Sequence, residues 1–267
     1  MKIATWNVNS IRARVDRVEE WLERSDVDVL ALQETKATDE NFPFEIFEYS
    51  GYEVAHFGLS QWNGVALASR VGLEDIQRTF AGQPAFGKPG QEPQVEARAL
   101  GATCGGVRVW SLYVPNGRGV DDPHMAYKLE WLGQLRQEAL GWLEQDSGAQ
   151  FALVGDFNIA PLDEDVWDID FFRQNQMTHV TEPERAAFQA FLDQPLGLVD
   201  VARPHTSVPY TYWDYTQLRF PKNEGMRIDF QLYSPALAAR VVGAEIDRQE
   251  RKGKGASDHA PVVVEIN

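Results

Sequence analysis

Phe151 to Pro161, FALVGDFNIAP, is an apolar run with a β-branched residue that stops at Gly155, Asp156, Phe157 and Asn158. This is the pattern of a buried strand where it reaches a surface. A side chain at such a strand end is held by the sheet beneath it, which suits chemistry. Asp and Asn also end strands because their side chains satisfy turn backbone, so GDFN alone leaves both readings open. The deciding observation is how many other strands end in the same way.

Several do. Lys2 to Trp6 predicts a strand ending at Asn7, with Ser10 placed to cap a helix through Ile11, Val15, Val18 and Leu22. Val27 to Leu32 predicts a second strand with Glu34 at its mouth. Tyr52 to Phe57, Gly64 to Ser69, Glu96 to Thr103 and Val107 to Val114 have strand patterns separated by Gly- or Pro-rich turns such as Gly82 to Pro93, and predict a β-meander. The last of them runs into YVPNGRG, where Tyr113, Asn116 and Arg118 are side-chain types that donate to phosphate oxygens. Asp122 and Pro123 open a long amphipathic helix that leads back to the GDFN strand. Thr181 and Glu184 have capping-box spacing before another helix. MRIDF places Asp229 within an apolar strand, where a carboxylate needs a partner such as His259, and Val262 to Ile266 closes the pattern.

Length and charge bound the classes. At 267 residues the chain predicts one α/β or layered domain, residues 1–267. Hydrophobic residues at 43% and a lone Cys104 predict a soluble protein of a reducing compartment, with the cytoplasm as default. No apolar run reaches membrane-spanning length. A formal charge of −15 excludes indiscriminate coating of nucleic acid but permits a local basic footprint, for which Arg12, Arg14 and Arg17 and the group Arg248, Arg251, Lys252 and Lys254 are candidates.

Asn7, Glu34, Tyr113, Asp156, Asn158, Asp258 and His259 all fall at or just beyond strand ends. Carboxylates and amides without a Cys or His cluster suit Mg²⁺ or Mn²⁺, with Glu34 and Asp258 as leading ligands. A hard cation beside Tyr, Asn, Arg and His is a site for an anionic phosphodiester. Phosphodiester hydrolysis is therefore the chemistry these residues point to.

WNVNSIRAR (Trp6 to Arg14), LQETK (Leu32 to Lys36), YVPNGRG, GDFNIAP, TYWDY (Thr211 to Tyr215), MRIDF and SDHAPV (Ser257 to Val262) together resemble the exonuclease III family of apurinic/apyrimidinic endonucleases. The resemblance runs along nearly the whole chain. It implies a four-layer α/β sandwich of the deoxyribonuclease I type, two packed sheets flanked by helices. It also implies Mg²⁺-dependent cleavage 5′ to abasic sites and trimming of blocked 3′ ends on duplex DNA, by a monomer. Position by position, it implies Glu34 as main metal ligand with Asn7 and Asp258 beside it, and Asp156 and Asn158 completing the oxygen set. Asp156 would handle the proton of the attacking water or leaving group, Asn158 would orient it, Asp229 would fix His259, and Tyr113 would hold the phosphate. Arg12, Arg14, Asn116 and Arg118 would contact DNA, and Trp213 would wall an abasic-sugar pocket. Rival readings are a phosphoesterase of the same fold acting on lipid or inositol phosphates, and a binding protein that has lost the chemistry.

Overall fold

A computed structural model describes residues 1–87 and 90–267, so two residues of the Gly82 to Pro93 turn lie outside the described ones. Twelve strands are described: β1 (Lys2–Asn7), β2 (Val29–Gln33), β3 (Glu53–Phe57), β4 (Val65–Ser69), β5 (Glu74–Gln77), β6 (Ala99–Cys104), β7 (Val107–Tyr113), β8 (Phe151–Asp156), β9 (Val199–Asp200), β10 (Asp229–Tyr233), β11 (Val241–Ile246) and β12 (Val262–Ile266). They form two six-stranded sheets, ordered β11-β12-β1-β2-β4-β3 and β5-β6-β7-β8-β10-β9. Each sheet has one parallel pair at its centre, β1 with β2 and β7 with β8, flanked on both sides by antiparallel pairs. The two sheets therefore share one pairing pattern.

The inner faces meet in a core that includes Ile3, Val29, Leu67, Leu100, Val109 and Val154. Helices α1 (Val15–Ser25) and α2 (Phe44–Tyr49) cover the outer face of the first sheet through Val18, Trp21, Leu22 and Phe47. Helix α3 (Pro123–Gln145), the short α4 (Ile169–Gln174) and α5 (Glu182–Leu192) follow, and α3 and α5 cover the second sheet through Trp131, Leu135, Phe188 and Phe191. Helix, sheet, sheet, helix is the four-layer sandwich.

Parallel and antiparallel pairing together explain why so many polar residues converge. β1, β2, β7 and β8 run toward the same edge, and β12 and β10, antiparallel to β1 and β8, start from it. Strand ends at Asn7, Tyr113 and Asp156 thus meet strand starts at Asp229 and just after His259. Asp156 is in register with Tyr113 on one side and Asp229 on the other. Gly155 permits that close pairing: at φ +149° a Cβ there would lie 1.9 Å from the Leu112 carbonyl oxygen. Polar cross-links between the sheets sit behind this edge. Gln33 Nε2 donates to Ser111 Oγ at 3.0 Å, and Gln231 Nε2 to the carbonyls of Ile3 and Val262 at 3.0 and 2.8 Å.

Two local expectations are corrected. Ser10 caps no helix: residues Ile11–Ala13 form a 3₁₀ turn, and α1 starts at Val15 after Arg14. Ser10 has φ +90°, outside the extended geometry of an N-cap. The four strands read as a meander are divided, β3 and β4 joining the first sheet and β6 and β7 the second. By contrast α3 starts with Asp122 accepting from the His124 amide, and the Thr181–Glu184 capping box is formed. No described helix is long and apolar enough to cross a membrane.

Candidate metal and phosphodiester site

Asn7 is the joint of the centre. Its Nδ2 donates to Glu34 Oε1 and to Asp156 Oδ2, each at 2.9 Å, so one amide draws carboxylates from the two sheets together. The other Glu34 oxygen lies 2.8 Å from Lys36 Nζ, and Lys36 also donates to Asn9 Oδ1. Asn9 Nδ2 in turn donates to Asp258 Oδ1 at 3.0 Å. Burial works against the Glu34 charge, yet the Lys36 ammonium and the Asn7 amide hold its pKa below the usual glutamate range.

Glu34 and Lys36 both have left-handed backbone, φ +50° and +51°, so their turn needs holding from outside. Thr35 supplies the anchor. Its amide donates to the Gly64 carbonyl, and its Oγ1 lies 2.9 Å from Nε2 of buried His56, whose Nδ1 lies 2.9 Å from Asp39 Oδ1. Burial lowers the His56 pKa to about 4, so the ring is neutral. With the Asp39 carboxylate fixing a proton on Nδ1, Nε2 accepts from Thr35. Gly64 is required here, because a Cβ would lie 2.1 Å from Thr35 Oγ1.

Asp156 Oδ1 accepts from the Asn158 amide at 2.9 Å. Burial raises its pKa to about 7 against the pull of His259, with Asp229 and Glu34 adding to the rise. His259 is the counterpart. Burial would lower its pKa, but Asp229, whose Oδ2 lies 2.8 Å from Nδ1, raises it to about 10 with help from Asp156 and Asp258. His259 Nε2 stands 3.9 Å from Asp156 Oδ2. Tyr113 lies under the Arg98 guanidinium at 4.8 Å, and burial with Glu34 and Asp156 nearby keeps its hydroxyl protonated far above pH 10.

Ligand atoms of Glu34, Asp156 and His259 all lie within 4.8 Å of one another. An imidazolium repels a cation, so the oxygen donors of Glu34, Asp156, Asn7 and Asp258 are the set that could hold a metal, and all-oxygen sets favour hard ions. In the metal-free protein the shifts of Asp156 and His259 have one sign. The proton is held more tightly folded than unfolded at Asp156 (about 7 against 3.8) and at His259 (about 10 against 6.5). Between pH 4 and 6.5 the lowered pKa values of His56, His124 and His179 oppose Asp156, so stability is expected to decline with rising pH from 6.5 to 10, through His259. Urea midpoints across pH 6.5 to 10 check this, and a rise over that interval contradicts it.

The structure brings Asn7, Glu34, Tyr113, Asp156, Asn158, Asp229 and His259 together, with Asp258 linked through Asn9. Asn116 joins them, its Nδ2 donating to Asn158 Oδ1 at 3.1 Å, while exposed Arg118 lies over Phe86 at 5.7 Å. Arg12 is exposed, whereas Arg14 is partly engaged, its Nη2 donating to the Tyr215 hydroxyl at 2.7 Å and the Ala256 carbonyl at 3.3 Å.

Trp213 departs from expectation. It has no exposed surface, its ring packs edge-on to Phe220 at 5.3 Å, and its Nε1 donates to Asn223 Oδ1, so no face of the indole is open to a sugar. The neighbouring Tyr212 faces the centre instead, 4.9 Å from the His259 ring. Trp213→Ala is thus expected to cost about 3 to 5 kcal/mol of stability. A thermal midpoint within two degrees of the parent contradicts that burial.

Asn9, Lys36, His56 and His179 were missed from sequence. His179 Nε2 lies 3.2 Å from Asn158 Oδ1, and burial beside Lys128 lowers its pKa to about 4. Buried Lys128 donates to the Asn158 carbonyl at 2.6 Å and pairs with Glu184, which accepts from the His179 amide. Only Asn9 carried a local signal, as one of several Asn around a strand end, and Asn tolerates the left-handed φ of +45° found there.

The pattern of the Endonuclease/Exonuclease/phosphatase family matches residues 4–259. Exodeoxyribonuclease III of Haemophilus influenzae is 33% identical over 100% of both chains. The structure of a 3′ phosphatase from Neisseria bound to a product DNA hairpin superposes with a TM-score of 0.89 at 34% identity, covering 100% of this chain and 99% of that one. An AP endonuclease from Archaeoglobus fulgidus gives 0.88 at 34% identity with the same coverage.

Proposed function

Because the chain belongs to the endonuclease/exonuclease/phosphatase family, we propose from its site that it is a metal-dependent DNA-repair nuclease of the exodeoxyribonuclease III class. The observation that carries this is the shared Asn7 amide between Glu34 and Asp156, set beside a His259 held cationic by Asp229. We read Mg²⁺, with Mn²⁺ as substitute, as the ion, held by Glu34, Asp156, Asn7 and Asp258. When bound, the ion supplies neutralisation of charge developing on phosphate oxygens. Asp156, both oxygens oriented by the amides of Asn7 and Asn158, takes a proton from the attacking water. His259 donates from Nε2 and Tyr113 from its hydroxyl to phosphate oxygens. Asn116, Arg118, Arg12 and the free part of Arg14 hold the DNA backbone.

The substrates we assign are duplex DNA with abasic sites or blocked 3′ ends, cut in the cytoplasm by a monomer of one domain, whose two sheets share one core. One experiment tests this. Duplexes carrying an internal abasic analogue or a 3′ phosphate are incubated with Mg²⁺, Mn²⁺ or chelator, beside a phosphoinositide, and product lengths are read. Metal-dependent cutting at the abasic site or release of the 3′ phosphate is expected. Turnover of the phosphoinositide alone, or of nothing, refutes the assignment. Relative yields of the two DNA products apportion endonuclease and 3′-end activities.

A further inference from the structure

Immediately before Asp258 the chain reads Arg251-Lys-Gly-Lys-Gly-Ala-Ser257, and Lys252 to Gly255 are all exposed. Arg17 on α1 holds this segment from behind. Its guanidinium donates to the carbonyls of Glu250, Lys252 and Lys254 at 2.8, 2.9 and 3.4 Å, which turns the carbonyls of alternate residues toward the helix. The Ala256 carbonyl is likewise tied down, by Arg14 at 3.3 Å and the Tyr215 hydroxyl at 2.9 Å.

With the carbonyls drawn inward, the amides are left over. Gly253 and Gly255 are left-handed at φ +87° and +75°, and Lys254 between them is not. Lys252 before them is extended at φ −88° and ψ 150°, so the hand of the chain changes at each glycine along exposed backbone. Among the described residues, the amides of Gly253, Lys254, Gly255 and Ala256 have no acceptor, and the ammonium groups of Lys252 and Lys254 have no ion-pair partner. The acids nearby are occupied. Glu250 pairs with Arg17 and Arg24, Asp247 with Arg24, and Asp258 accepts from Asn9. A cluster of unopposed donors is conspicuous on a chain of charge −15. Ala256 is two residues from Asp258, so the last free amide stands within about 8 Å of that residue's backbone.

Resting on the DNA-nuclease reading, we propose that Lys252 to Ala256 form a phosphate-binding loop that seats a DNA backbone phosphate neighbouring the scissile one. The loop contributes backbone donors as well as charge. Gly255 separates these contributions, since a Cβ there meets nothing within 4 Å and only the positive φ opposes it. Gly255→Ala therefore disturbs the amides while keeping both lysines.

The test uses full-length protein labelled with ¹⁵N at glycine, titrated with an undamaged duplex and separately with inorganic phosphate. Gly253 and Gly255 amide signals are expected to move with duplex. The K252Q/K254Q protein is expected to bind duplex about tenfold more weakly near 0.1 M salt, with the slope of log K against log salt reduced by about one phosphate contact. Gly255→Ala is expected to weaken binding with a smaller change of slope. Stationary glycine signals while duplex is bound and cut, or a K252Q/K254Q slope equal to the parent's, overturn the loop and leave the nuclease reading intact. Signals that move with inorganic phosphate but not with duplex overturn the assignment to DNA. A parent that neither binds nor cuts any duplex overturns the nuclease reading itself.

Discussion

Asp156→Asn is expected to slow cleavage by roughly 10² to 10⁴-fold, the span of a lost general base, without lowering the thermal midpoint. The carboxamide fits the space, but it cannot serve both neighbours. Oδ1 accepts from the Asn158 amide and Oδ2 from Asn7 Nδ2, so an NH₂ in either place meets a donor. Folding tolerates this because the ionised carboxylate is itself unwelcome. Burial and the charges of Asp229 and Glu34 raise its pKa to about 7, and neutralising it relieves that strain at higher pH. Single-turnover cleavage and calorimetry measured together check the expectation. A rate within tenfold of the parent removes Asp156 from the chemistry.

Glu34→Gln is expected to act on the metal. The substitution removes one unit of negative charge from the most anionic part of the oxygen set, and its NH₂ must face either Asn7 Nδ2 or Lys36 Nζ, both donors. Metal affinity should fall by about 10 to 100-fold, with cleavage at about 1 mM Mg²⁺ falling at least as far and recovering in part at higher metal. Free Mn²⁺ counted by electron paramagnetic resonance reads affinity without reference to turnover. Half-saturation equal to the parent's shows that Glu34 is not a ligand. Far-ultraviolet circular dichroism like the parent's excludes unfolding as the cause.

The strand ends were legible because each is a local event: an apolar run, then a polar residue or a Gly. Asn7, Glu34, Tyr113 and Asp156 were found in this way, and Asp229 and His259 by the cost of a carboxylate inside an apolar strand. What was hidden depends on partners far along the chain. Nothing near β4 tells that β5 starts a second sheet, since that choice is made by β7 pairing with β8 some forty residues later. His179 reaches Asn158 because Glu184 and Lys128 place it there, and His56 on β3 reaches Thr35 past the intervening β4. Trp213 misled because an aromatic motif shows no inside or outside. Its backbone amide donates to the Asp258 carbonyl, and the indole turns into the core while Tyr212 turns to the site.

The pairing of β1 with β12 has a consequence for synthesis. Lys2 lies opposite Glu265, and the Met1 amino group donates to the Ile266 carbonyl at 2.7 Å. A ribosome adding about 5 to 20 residues per second therefore leaves β1 without its antiparallel neighbour for roughly ten to fifty seconds. Throughout that interval Asn7 and Glu34 exist but Asp258 and His259 do not. A nascent chain carries carboxylates without the imidazolium that opposes them, and has no finished cleft. On the roles proposed for Asp258 and His259, catalytic competence is expected in a single late step, when the last strand closes the first sheet, and a chain broken off before residue 258 is expected to be unable to cut.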